Sequence, residues 1–284
     1  MMDTPRDTVM PPDAARALLA MPGPGRVRYG AAMALWQAGQ MNADELERFR
    51  VAAAHDRLIL AQAPPPDAAA ALSVVIDAAD HYLAALAGPG LAEVRAGIAT
   101  SRARPYLPPP QTHPVVAAHL APALAALAPE RPALAAAIAA AAAHLRWQSY
   151  DGYLRDVIGA GFADGHAFAP LIVAAPDHDF ELGLFLIAPH LFYRDHHHPA
   201  PELYAPLTGP HGWRFGPGRP LVMRAAHRPV WNDPHRPHAT LVGSVPFLCL
   251  YGWTRDIDHA AQVIVSDDWP QIESAPGNPA RQPP

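Results

Sequence analysis

The reading turns on Tyr193-Arg-Asp-His196-His197-His198-Pro-Ala-Pro-Glu202-Leu-Tyr204. Successive side chains of an extended chain point to opposite faces, so positions 196, 198, 202 and 204 share one face, even with a turn at Pro199 to Pro201. Two imidazoles and a carboxylate on one ribbon need one further ligand to close a divalent metal site. His197 has the opposite parity and should face away. Of the 16 histidines, nine lie between His190 and His259, and this clustering marks a site. A bare triple-histidine run reads most simply as a surface turn; Glu202 at its offset, inside a run of strands, outweighs that reading. The remaining ligand should come from a later strand. His238, just ahead of the apolar segment that ends at Trp253, is the expected one, with His227 and His235 as competitors from a Pro- and Arg-rich loop. His190, His211 and His259 read as surface or internally satisfied residues.

Tyr204 stands two beyond Glu202, where its hydroxyl would lie beside the metal. A free phenol titrates near ~10, so tyrosine is a poor base unless a cation lowers it. A metal next to the phenol would do so, which makes Tyr204 a candidate general base. The plain alternative is a tyrosine that only packs. Tyr193, three before His196, should line the same pocket.

Outward from this stretch the chain has two compositions. It is 284 residues long, 50% hydrophobic and 17% charged, which suits a packed core. Its net charge of −5, with arginine as its only fixed cation, argues against nucleic acid and anionic membrane surfaces. A single cysteine, Cys249, excludes an internal disulfide and reads as a buried, inert thiol. The acids and prolines of Met1 to Asp13 are unlike a signal peptide, and no apolar run reaches the ~20 residues that span a bilayer. The expectation is a soluble, cytoplasmic protein.

Residues 13–160 read as a helical region, with alanine and leucine at helical spacing over Ala43 to Ala63, Asp67 to Leu86, His113 to Leu127 and Pro132 to Leu145. Asp67 is a plausible N-cap, and Gly88-Pro89-Gly90 a stop. Over 165–270 the pattern changes to short strands: Pro170 to Ala174, Glu181 to Ile187, Glu202 to Leu207, Pro220 to Ala226, His238 to Val242, Val245 to Trp253 and Gln262 to Val265. Their spacing is that of an all-β sandwich or barrel. Residues 1–12 and 271–284 read as disordered tails. Gly159 to Gly165 has the wrong spacing for a nucleotide loop and reads as a linker; Asp177-His178-Asp179 reads as a hydrated turn.

The string H-x-H-x3-E, with Gly209 seven residues beyond Glu202, resembles the first metal motif of cupins. Gly183 to Tyr193, Tyr204 to Gly209, Gly212-Trp213-Arg214, His238-Ala-Thr and Pro246 to Trp253 together resemble the cupin-type dimethylsulfoniopropionate (DMSP) lyases. The likeness is strong over residues 165–255, and the helical N-terminal half suits that family. The resemblance implies an α+β fold: a helical N-terminal region followed by a cupin (double-stranded β-helix, jelly-roll) barrel. It implies a carbon–sulfur lyase of the dimethylpropiothetin dethiomethylase type, which splits a sulfonium carboxylate into dimethyl sulfide and acrylate. By position, the metal ligands would be His196 or His198, Glu202 and His238, with His198 in direct contact and His196 assisting. Tyr204 matches the family's base and Tyr193 a substrate-pocket tyrosine. One divalent ion is implied, zinc or iron first, with manganese, cobalt or nickel tolerated.

The sulfonium would favour aromatic faces, for which Trp213, Phe192, Tyr193, Tyr251 and Trp253 are near enough in sequence. The chain departs from general cupins where His190 replaces a glycine six before His196, and where a Pro-x-Gly turn is absent ahead of His238. The rival readings are a cupin metalloenzyme acting on another small carboxylate, such as a lyase, an isomerase or an Fe(II) oxygenase, and a non-catalytic metal- or ligand-binding cupin. The N-terminal helices suit a lid or a homo-oligomer interface.

Overall fold

The computed structural model describes residues 11–20, 25–55 and 68–274. The chain divides into two compact units, 1–63 and 64–284. In the first, α1 (Pro12–Ala20), α2 (Gly25–Gln37) and α3 (Ala43–His55) follow one another, and Ala15, Ala31, Ala34 and Leu35 form a small core. The end of the helix expected over Ala43 to Ala63, and the Asp67 cap, lie outside the described residues.

The second unit opens with α4 (Ala68–Ala84), α5 (Leu91–Ser101), α6 (Pro114–Leu127) and α7 (Pro132–Ala141). Alanine is the best helix former, and both α6 and α7 begin with proline at the first turn, where its missing N–H costs nothing. His113 caps α6, its ring nitrogen accepting from the Val115 N–H at 3.3 Å. A short helix, α8 (Arg155–Ile158), precedes the segment expected to be a linker, and a second, α9 (Ala160–Asp164), occupies it.

Among the described residues ten strands follow: β1 (His166–Ile172), β2 (Glu181–Ile187), β3 (Phe192–His197), β4 (Glu202–Pro206), β5 (His211–Arg214), β6 (Val222–Arg224), β7 (Val230–Asn232), β8 (His238–Leu241), β9 (Phe247–Trp253) and β10 (Gln262–Val263). They make two five-stranded sheets, ordered β1-β2-β9-β4-β7 and β10-β3-β8-β5-β6, and every pairing is antiparallel. The strands β3, β5 and β7 are additions to the expected set: β3 covers the stretch read only as an extended ribbon, and β5 and β7, four and three residues long, are too short for alternation to register. The described residues end in α10 (Trp269–Ser274), so residues 271–274 are helical where a tail was expected. Trp269 is buried against Phe192 and Ala239, which ties this helix down.

Period-two alternation sorts the first sheet. Leu182, Leu184, Leu186, Leu203, Ala205, Leu248 and Leu250 face a core shared with Leu72, Ile76, Ile98, Leu127 and Ile138 of the helices. Phe185, Ile187, Tyr204, Phe247, Cys249 and Tyr251 face inward. The change of composition near residue 160 therefore falls inside a single packing unit. Gly252 lets α5 approach: a Cβ there would stand 2.9 Å from Val94.

Candidate active site

The inward faces of the two sheets enclose a pocket of about 500 Å³, counting its open mouth. His196, His198, Glu202 and Tyr204 line it. His238 on β8 pairs directly with His196 on β3, and this register brings the third imidazole into the cluster. One ligand nitrogen from each of His196, His198 and His238 lies within 4.8 Å of the other two, and all three residues are buried. His227 and His235 stay outside it, both in turns with positive φ. His227 bonds instead to the Tyr82 hydroxyl at 3.0 Å. His197 faces away beside His235, as its parity requires.

The imidazoles are held in one tautomer. Nδ1 of His196, His198 and His238 lies 2.8, 2.7 and 2.9 Å from the carbonyl oxygens of Arg194, Ala200 and Arg236. A carbonyl only accepts, so each Nδ1 carries a hydrogen, and in its neutral form each ring has its lone pair on Nε2. Glu202 Oε2 sits 3.2 Å from His198 Nε2 and 3.4 Å from His238 Nε2. His238 Nε2 is buried without a hydrogen-bond partner. A proton on one ring satisfies one such contact; a divalent cation satisfies three lone pairs and a carboxylate together. The donor set thus fits a metal ion.

The electrostatics agree with that reading. Burial, then the two neighbouring imidazoles, hold His196 well below the usual imidazole range. For His198 burial acts downward, but the Glu202 carboxylate outweighs it and the pKa is raised. Burial would raise Glu202, yet His198 and His238 hold it well below the carboxylate range.

Glu202 is held from behind. Trp253 Nε1 donates to its Oε1 at 2.7 Å, and Asn232 Nδ2 to its Oε2 at 3.1 Å. Removing such an outer partner typically weakens metal binding by ~10–100-fold. Asn232→Ala should show that loss in a zinc competition titration with the fold retained; wild-type affinity would mean that Trp253 alone orients the carboxylate.

A β-bulge between Tyr193 and His196 breaks the alternation of β3, so both residues face inward despite their unequal parity. Tyr193 stacks on His196 at 3.9 Å between centroids, and its hydroxyl bonds to that of Tyr153 at 2.8 Å. Tyr153, Tyr150 and Glu181 also line the pocket. None of the three was anticipated: they come from segments remote in sequence, with no motif around them. Tyr251 and Trp253 also line it. Trp213 does not; it packs behind Tyr204, 5.6 Å between centroids, and is 1% exposed. Phe192 points to the outer face, under the Arg214 guanidinium. His211 is buried and satisfied by Thr208 and the Gly243 N–H.

The sequence profile of the dimethylsulfoniopropionate (DMSP) lyase family matches residues 90–249, more than half the chain. The chain belongs to the DMSP lyase family. The matched span contains His196, His198, Glu202, Tyr204 and His238, and closes before Tyr251 and Trp253. Among solved structures, DMSP lyase DddQ from Ruegeria pomeroyi DSS-3 is 21% identical, with 68% of this chain and 96% of that one aligned at a TM-score of 0.50. A structure from work on the DMSP lyases RdDddP and RnDddQII is 20% identical over 69% and 98%, also at 0.50. A cupin-like protein from Thermotoga maritima aligns over 45% of this chain at 14% identity and a TM-score of 0.35. A search of curated sequences returns no significant match. The fold shared with these DMSP lyases is two antiparallel sheets, of the kind a jelly roll contains, preceded in the chain by helices. No helix among the described residues is long and apolar enough to cross a membrane.

Proposed function

We propose that this chain is a metal-dependent carbon–sulfur lyase that cleaves DMSP by β-elimination into dimethyl sulfide, acrylate and a proton. The observation that carries the proposal is the convergence of three tautomerically fixed imidazoles and Glu202 beside two inward tyrosines, in a member of the DMSP lyase family.

His196, His198, His238 and Glu202 would hold the ion, zinc or iron by the donor set. When bound, a divalent cation supplies a Lewis acid for the substrate carboxylate and lowers the pKa of a nearby phenol. That is the help Tyr204 needs, because burial, and after it the Glu202 carboxylate, holds its phenol well above the ordinary value. As phenolate, Tyr204 takes the proton from the carbon beside the carboxylate. The C–H pair becomes the new C=C bond, and the carbon–sulfur bond breaks with its electrons on sulfur, which leaves as neutral dimethyl sulfide. Tyr193, with its hydroxyl tied to Tyr153, orients the substrate from the facing sheet. The dry aromatic wall keeps water from competing for the base.

The test is headspace gas chromatography of protein loaded with zinc, ferrous iron or manganese and supplied with DMSP, beside a chelator-treated sample. Metal-dependent sulfide with equimolar acrylate is the expected result. Folded, metal-loaded protein that releases no sulfide would overturn the proposal and direct attention to other small carboxylates.

A further inference from the structure

The elimination needs a base and a carboxylate site, and neither requires the second acid in the pocket. Glu181 opens β2 and stands opposite Trp253 of β9; Glu202 of β4 stands opposite the same Trp253 from the other side. The backbones of the two acids thus flank that of Trp253, two strand spacings or about 10 Å apart across the sheet. Glu202 is engaged with the imidazoles. Glu181 faces the same pocket, and among the described residues no arginine or histidine forms an ion pair with it.

Its hydrogen-bond partner is Tyr251, whose hydroxyl donates at 2.6 Å. That phenol crosses β2 to reach Glu181 because residue 183 is glycine: a Cβ there would come within 2.6 Å of the Tyr251 oxygen. Phe168 lies edge-on to the Tyr251 ring at 6.5 Å, and Tyr153 and Trp253 complete this end of the cavity. A carboxylate inside an aromatic enclosure, without a cation of its own, lacks half of an ion pair. Burial accordingly pushes Glu181 up to about 7, and a bound cation would reverse that cost.

We propose that Glu181 is the counter-charge for the cationic end of the substrate, and that it makes the pocket select a cationic carboxylate over a neutral one of the same shape. This rests on the lyase reading for the identity of the cation, a sulfonium. A sulfonium has no hydrogen to donate and is held only by charge and by ring faces. Glu181 and the faces of Tyr251 and Trp253 provide both, while the histidine end receives the carboxylate.

The experiment compares equilibrium binding to zinc-loaded protein of 3-(trimethylammonio)propanoate and 4,4-dimethylpentanoate, by calorimetry. The first carries the charge without a sulfide leaving group; the second is its neutral, branched counterpart. Wild type should favour the cation by ~10-fold or more. Glu181→Gln keeps the shape and an acceptor for Tyr251, and should bring the two ligands to within ~2–3-fold with the neutral one unchanged. Glu181→Asp, which retains the charge, should restore the preference. In turnover, Glu181→Gln should raise KM for DMSP ~10-fold with kcat nearly unchanged, the signature of lost uniform binding.

Absence of a cation preference in wild type, or a preference that survives in Glu181→Gln, would overturn the assignment. Cation preference that depends on Glu181 in a protein that releases no sulfide would leave the assignment standing and remove the lyase reading. Sulfide release with an unaltered KM in Glu181→Gln would do the reverse.

Discussion

Tyr204→Phe, loaded with the same metal as wild type, should release dimethyl sulfide at least ~100-fold more slowly, because a positioned general base is worth ~10²–10⁴-fold. The substitution removes one oxygen and keeps the ring. That ring is wedged among Phe185, Trp213 and Phe247, at centroid distances of 6.3, 5.6 and 6.2 Å, contacts that phenylalanine preserves. Metal content and melting temperature should therefore match wild type, so a loss of rate reads as lost chemistry. Tyr193→Phe is the internal comparison. Its hydroxyl is committed to Tyr153, so its loss should cost less in kcat and appear partly in KM. If the two variants rank the other way, the base is Tyr193, and Tyr204 is the packing tyrosine.

Arg214→Met should destabilise the fold by ~3–5 kcal/mol, the usual consequence of leaving a buried charge without its partner. Arg214 on β5 is 1% exposed and Asp195 on β3 is 0% exposed. The guanidinium pairs with both oxygens of Asp195. It also reaches the two oxygens of Asp268, just ahead of α10, at 2.6 and 3.0 Å. Trp269 Nε1 donates to Asp195 at 2.7 Å. Asp268 is part-exposed and can return to water, but Asp195 cannot.

Urea denaturation with zinc in excess measures the effect. Zinc affinity should fall as well, because Asp195 immediately precedes His196 and fixes the backbone of the bulge that turns this ring inward. The double variant Asp195→Leu with Arg214→Met should recover part of the loss, since an apolar pair of similar volume removes the stranded charge. A midpoint shift worth less than ~1 kcal/mol in Arg214→Met would show that Asp195 is satisfied without it.

Much of the site was legible because strand geometry has a period of two. Parity sets His196 apart from His197 on β3 and puts Glu202 and Tyr204 together on β4, but these strands belong to opposite sheets joined by a turn over 198–201, so the four residues meet because the sheets face each other and not because they share one ribbon. The change from helical to alternating patterning also marked where the strands begin, and the family likeness rests on those same residues. Parity fails at Tyr193 and His196, which both face inward through a bulge. Such an extra residue is set by how a strand meets its partner, not by its own composition.

What only the tertiary structure decided is whatever depends on contacts between segments far apart in sequence. Among His227, His235 and His238 the sequence favoured His238 only by its place ahead of an apolar strand; the register of β8 against β3 is what brings His238 beside His196, while His227 and His235 sit in turns away from the cluster. Alternation says that a strand has two faces without saying which is inside, so Phe192 looked like a pocket aromatic and packs on the outer face, while Trp213 faces inward but lies behind Tyr204 and Phe247, off the pocket lining. Tyr153 reaches Tyr193 across 40 residues and Glu181 reaches Tyr251 across 70. No local pattern encodes such meetings. They arise because folding buries inward-facing polar groups together, where each must find a partner or a ligand.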